Sequence, residues 1–165
     1  MSKYKTGEDF YNRIYFRFNA LIAISLIPFG ILLLDIHTKP EAIPTLNGAF
    51  AYIISILVTT ISGYTTYHAF DKYKTQFGTI SRKMDLRSKL DAYYEYNMEK
   101  YVRISIACCA LVTILFITRI RLIIPAYVIV LILLSIGRPT LRDMIRELGL
   151  NSEEEGILYR KDHIS

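Results

Sequence analysis

Apolar residues fall into four runs, at 18–34, 42–70, 104–118 and 122–137, and each run is free of Asp, Glu, Lys and Arg. The charges crowd into the stretches between and beyond them. A soluble helical bundle places charges every few residues on its wet faces. Runs that lack them, at close to the ~20 residues a helical span needs, read as membrane crossings. The pattern therefore predicts an all-α polytopic membrane protein with four transmembrane helices in two hairpins joined by a cytoplasmic helical segment. The first hairpin occupies 19–70, with spans at about 19–35 and 48–70. The second occupies 104–137, with spans at about 104–118 and 122–137. Residues 71–103 form the bridge, 1–18 a cytoplasmic amphipathic segment, and 138–165 a cytoplasmic tail with short helices.

Each stretch has its own texture. Phe10, Tyr11, Ile14, Tyr15 and Phe18 recur at helical spacing among basic residues, as in an interfacial helix starting at Thr6 or Gly7. Pro28 predicts a kink in the first span, where neighbouring groups must satisfy the freed carbonyl. In the loop at 35–47, Asp35, His37 and Glu41 match no strong metal-ligand spacing and read as solvated residues. Along the second span Tyr52, Ser55, Thr59, Ser62 and Thr66 follow at intervals of three and four, and Gly63 extends the strip. Small and hydroxyl residues mark helix contact faces in lipid, where apolar burial gives no drive for association. The same face is a candidate pore lining.

In the bridge, Gly78 offers a turn, and no Pro interrupts 81–118, so a helix starting near Ser81 runs on into the membrane. Met84, Leu90, Tyr93, Tyr94, Met98 and Tyr101 make its apolar stripe, a candidate surface for a cytoplasmic partner. The cluster YYEYNMEKY holds no nucleophile–base pair and reads as an aromatic belt beside helix-surface ion pairs. The third and fourth runs are short and separated by TRIR; they read as two short spans rather than a re-entrant loop. Gly137 and Pro139 end the last span, and Thr140 with Asp143 and Ser152 with Glu155 resemble capping boxes for two tail helices.

Charge orients the chain. With the termini and the bridge on one side, 17 of the 20 Lys and Arg share that side, which the positive-inside rule makes cytoplasmic. Both termini are then cytoplasmic, in a plasma or inner membrane. The net charge of +5 is spread over several segments, without the basic stripe that nucleic-acid binding needs. Lipid headgroups account for the excess. Cys108 and Cys109 are adjacent within an apolar run and read as small packing residues. The first apolar run lacks a small-x-small cleavage site and reads as an uncleaved span. No cofactor or nucleotide motif is found. These features point to a non-catalytic interaction or assembly subunit of a membrane complex, joined to a protein partner or to copies of itself. A channel or transporter lined by the second span is the alternative. An enzyme ranks third, since no acid, base and nucleophile set can be named.

Overall fold

In a computed structural model of the chain, which describes residues 6–39, 46, 48–78 and 84–159, those residues form six helices. They are α1 (Gly7–Thr38), α2 (Gly48–Phe77), α3 (Leu86–Thr118), α4 (Ile123–Ile136), α5 (Leu141–Leu148) and α6 (Ser152–Tyr159). The first three are long and apolar enough to cross a membrane. A fourth crossing is reached only when α4 and α5 are counted together as one span bent by 68°. Taken alone, the 14 residues of α4 reach ~21 Å, short of a ~30 Å hydrocarbon core. The described residues thus form a small all-α bundle whose long helices have the length and apolar character of membrane spans.

Local chemistry sets the helix ends. Thr6 caps α1 by accepting from the Asp9 N–H at 3.2 Å, with Glu8 and Asp9 favourably placed in the first turn. From there α1 runs unbroken for 32 residues. The amphipathic segment that starts at Gly7 and the first apolar run therefore share one continuous helix. Pro28 sits inside it with its ring exposed. Gly78 follows the end of α2 in a turn. Asp85 caps α3 through the Arg87 N–H; Ser81, the start expected from sequence, lies outside the described residues. Arg119 ends α3 in the left-handed region at φ 53°. In the tail, Thr140 caps α5 as expected. The box on α6 is shifted by one residue: Asn151 Oδ1 accepts from the Glu154 N–H at 2.8 Å, and Glu154 Oε2 accepts from the Asn151 N–H at 3.0 Å.

Helix α3 is central and packs on α1, α2, α4 and α5. It runs parallel to α1. Leu21 meets Ser105 and Asp35 meets Arg119, both at a separation of 84 positions. It runs antiparallel to α2, which it meets at Ser55–Thr118 near one end and Phe77–Tyr93 near the other. Helix α4 returns along α3 and α1, bringing Gly137 to Tyr101 and Tyr127 to Phe29. Two apolar clusters result. One, built on Phe18, Phe29, Tyr101, Leu111, Leu115 and Tyr127, fills the bundle. The other lies at one end, where Phe10 and Ile14 of α1 meet Leu90 and Tyr93 of α3, Met144 and Leu148 of α5, and Leu158 of α6.

That end cluster is locked by an ion pair between Lys89 and Glu154 at 2.7 Å, with side chains only 4% and 16% exposed. Such a pair stabilises little over an apolar replacement, but removing one partner leaves a buried charge and costs ~3–5 kcal/mol. The start of α1 and α6 touch so closely that a Cβ on Gly7 would lie 2.8 Å from the Leu158 carbonyl oxygen. Away from the end cluster, large apolar side chains face outward, among them Ile27, Ile31, Ile53, Ile61, Ile129 and Ile132. Exposed apolar area of this extent suits a lipid surround.

Candidate functional site

The spacing of α2 against α3 follows a seven-residue rhythm. Ser55, Ser62 and Ala69 are buried, with Ala51 and Thr66 beside them. Small residues at this period let two helix backbones approach along a seam. The Ser55 hydroxyl donates to Thr118 Oγ1 at 3.4 Å, Ser62 to the Ala107 carbonyl at 3.4 Å, and Thr66 to its own Ser62 carbonyl at 2.8 Å. Thr59 is half-buried at the edge of this seam. Tyr52 and Gly63, grouped with it in the sequence, point away: Tyr52 is 59% exposed, and a Cβ on Gly63 would meet nothing within 4 Å. A helix turns ~100° per residue, so neighbours on a 3–4 spacing spread across a wide arc, and a single contact line selects only part of it. Ala51 and Ala69 are further seam residues that the hydroxyl pattern did not include; Ala51 stands four before Ser55 and Ala69 seven after Ser62, and that spacing was the available signal.

The stripe on the first half of α3 is largely covered by the chain itself. Leu90 and Tyr93 are buried in the end cluster, Tyr94 and Met98 pack against it, and Tyr101 meets the Phe18 ring edge-on at 4.8 Å. Met84 alone of the six is exposed. The Tyr94 hydroxyl is buried and, among the described residues, has no hydrogen-bond partner. The covering elements are α1, through Phe10, Ile14 and Phe18, and the tail helices, and nothing in the sequence of the tail says which surface it returns to.

Where these pieces meet, a cavity of ≈ 430 Å³ with charged groups set in a largely apolar and aromatic wall opens between α2, α3, α4 and α5. Its centre is Lys100, only 6% exposed. The ammonium donates to Asn97 Oδ1 at 3.0 Å and lies over the Tyr73 ring at 3.9 Å and the Tyr101 ring at 4.6 Å. Aromatic faces attract a cation through their quadrupole. Burial pushes the Lys100 pKa down to about 8, with the Glu147 charge opposing that shift. Around it, Asn97 donates to the Tyr93 carbonyl at 2.9 Å and to the Tyr73 hydroxyl at 3.4 Å. Tyr73 in turn donates to Glu147 Oε2 at 2.8 Å. Burial holds the Tyr73 and Tyr93 phenols well above their usual range, so both stay protonated donors. The Tyr101 hydroxyl closes the floor by donating to the Gly137 carbonyl at 2.6 Å.

The stretch YYEYNMEKY supplies Tyr93, Asn97, Lys100 and Tyr101, which the sequence pattern presents as an aromatic belt, although a further signal existed. Leu86, Leu90, Tyr93, Asn97, Lys100 and Ile104 follow at intervals of four and three, so an amide and an ammonium interrupt an otherwise apolar stripe. Beside it, Glu99 accepts from Lys72 on α2, from Arg103 at 2.8 Å and from Gln76 at 3.3 Å, stapling α2 to α3. Those bonds, that from Lys72 first, hold the Glu99 carboxyl down at about 2. No group of three metal-ligating side chains occurs among the described residues; Glu41 lies outside them, and Asp35 is bound to Arg119. Cys108 is buried and Cys109 half-buried, both as free thiols. No protein-family model, curated protein or solved structure matches the chain.

Proposed function

We propose that the protein is a non-catalytic interaction or assembly subunit of the membrane, associating through the outer face of α2 with a partner helix or with a second copy. The observation that carries this reading is the division of α2 into two faces. Its hydroxyl seam is used inside the chain, against α3. Its other face presents Ile56, Thr60, Gly63 and Tyr67 on one exposed strip, with Gly63 open. A glycine that no neighbour approaches lets a second helix come close. The membrane topology belongs to the same proposal. The starts of α1 and α3 and the tail helices share one end of the bundle, which suits an even number of crossings with both termini and the 71–103 bridge cytoplasmic.

The test uses two adjacent positions. Gly63→Leu places bulk on the outer face and should lower the oligomer size in mild detergent while leaving the unfolding temperature of the chain unchanged. Ser62→Leu wedges α2 from α3 and should lower that temperature. Unchanged size in Gly63→Leu, measured by light scattering, refutes association through this face.

A channel is the second reading. A groove of ≈ 160 Å³ lined by Tyr52, Ser55, Thr59 and Ile123 favours it, because several copies could join such grooves into a path.

A further inference from the structure

The Lys100 ammonium carries three N–H donors. Among the described residues one of them finds an oxygen, that of Asn97, and no carboxylate lies within 4 Å. The nearby carboxylates have other partners. Asp143 accepts from Thr140 and Arg146 on its own helix, and Glu147 accepts from Tyr73. Yet the cavity wall is net basic, with Lys74, Lys100, Arg138 and Arg146 against Asp143 and Glu147. Glu147 acts on this ammonium only from beyond contact distance, so the buried Lys100 is short of acceptors, and oxygens entering the cavity would relieve that cost.

The depth of the cavity indicates what those oxygens belong to. Its wall includes Phe70, Ile136 and Arg138. These are the last residue of the charge-free run on α2, the last residue of α4, and the first cation after it. The lining thus combines apolar side chains from the ends of two apolar runs with cations just beyond them, as a site at headgroup level would. A volume of ≈ 430 Å³ lies within the ~300–1,000 Å³ range of small-molecule sites.

We propose that this cavity binds a phosphate group, held by Lys100 at its base and Lys74 at its rim, whether presented by an anionic phospholipid headgroup or by a soluble phosphate compound. On α2 the site lies beyond the assembly face along the same helical stripe, because Phe70 and Lys74 continue the spacing of Gly63 and Tyr67 one to two turns past Tyr67. It gives the chain a ligand that joins α2, α3, α4 and α5 at one point, so occupancy tightens the packing of the tail helices against the bundle.

The full-length protein, purified in mild detergent, is offered phosphatidylglycerol and phosphatidylcholine in equal amounts, and the lipid retained is measured by native mass spectrometry. In parallel its unfolding temperature is followed in phosphatidylcholine nanodiscs with and without inorganic phosphate. A lipid source predicts about tenfold preference for phosphatidylglycerol, with little response to inorganic phosphate. A soluble source predicts stabilisation by inorganic phosphate without lipid preference. Lys100→Met, which keeps the volume of the stem, should abolish whichever response is seen. Lys74→Gln, on the exposed rim, should weaken it severalfold and leaves the fold untouched even where Lys100→Met does not assemble. Absence of both responses in the wild type, or a response that survives Lys74→Gln and Lys100→Met at full strength, overturns the proposal.

Discussion

Arg119 Nη2 lies 2.5 Å from Asp35 Oδ2, tying the end of α3 to the end of α1 across 84 positions of sequence. Leu21 and Ser105 keep the same offset about halfway back along the helices, so the pair continues a register rather than making an isolated contact. Arg119 also donates to the Lys39 carbonyl at 3.4 Å. It does so as the C-cap of α3 in the left-handed conformation, which costs an L-residue ~1–2 kcal/mol. Strain and ion pair therefore oppose each other at one residue. Arg119→Ala keeps the strain and loses the pair, whereas Arg119→Gly loses both. Thermal unfolding in detergent should rank wild type above Arg119→Gly, and Arg119→Gly above Arg119→Ala by ~1 kcal/mol. Equal destabilisation by the two variants would show that the turn relaxes away from positive φ.

Gly7 tests the docking of the tail. An added Cβ would meet the Leu158 carbonyl oxygen at 2.8 Å and its Cα at 2.9 Å, both backbone atoms that cannot rotate aside. Gly7→Ala should cost ~1–3 kcal/mol by overpacking. The cost appears as release of α6, seen as faster protease cleavage near Gly149. In an exposed helix interior the same change would stabilise by up to ~1 kcal/mol, so the sign of the effect decides whether α6 sits against α1.

Glu99 supplies the pH test. Its carboxyl is lowered from 4.5 to about 2 by hydrogen bonds from Lys72 and Arg103. A depressed folded-state pKa stabilises above the unfolded value and loses that effect as pH falls through the folded one. The wild type should exceed Glu99→Gln in unfolding temperature at pH 7. The gap should begin to close below pH ~4.5 and vanish near pH 2. A gap that stays constant from pH 7 to 2.5 would mean the α2–α3 staple does not depend on that charge. Because the side chain is 32% exposed, solvent and salt screening keep the effect small.

Much of this architecture was legible because lipid imposes a simple demand: long runs without charge must be helices. The end of α2 at Gly78 and of α5 at Gly149, like the long α3, follow from local residues alone. The joins were harder. Composition changes sharply near Phe18, yet the backbone of α1 does not break there, since a helix can pass from a polar to an apolar surround without changing its hydrogen bonds. The cavity was hidden for a different reason. Asn97 and Lys100 look like belt residues until Tyr73, 24 positions before Asn97, is brought against them. Contacts that depend on the tail returning to α3 leave no local trace in either segment.

Topology is checked by thiol labelling after Cys108 and Cys109 are replaced by Ala. Ser88 and His37 are both exposed, near the start of α3 and the end of α1. With termini and bridge cytoplasmic, Ser88→Cys should be shielded in intact cells from an impermeant reagent, while His37→Cys reacts. The reverse pattern would invert the orientation, and reaction at both would contradict any arrangement that places these helix ends on opposite sides.

The final prediction separates an assembly subunit from a pore. If the hydroxyl face of α2 lines a conducting path, water must reach Ser55 and Ser62. In the folded chain both are buried, at 4% and 2% exposure, and both donate to α3. Their hydrogen bonds are met without water, and any path would have to run along the outer groove beside Thr59. In the background without native cysteines, single cysteines at 55 and 62 should react slowly with a small water-borne thiol reagent. One at 59, on the seam edge, should react at a rate set by lipid rather than bulk water. Liposomes holding the purified protein should show no ion flux. Rapid modification at 55 and 62 with flux that the reagent blocks would mean that α2 parts from α3 to open a channel. Rapid modification at 59 alone, again with blocked flux, would place the path in the groove between copies. Slow modification and no flux leave the face of α2 as what its hydrogen bonds describe, a dry seam inside one chain.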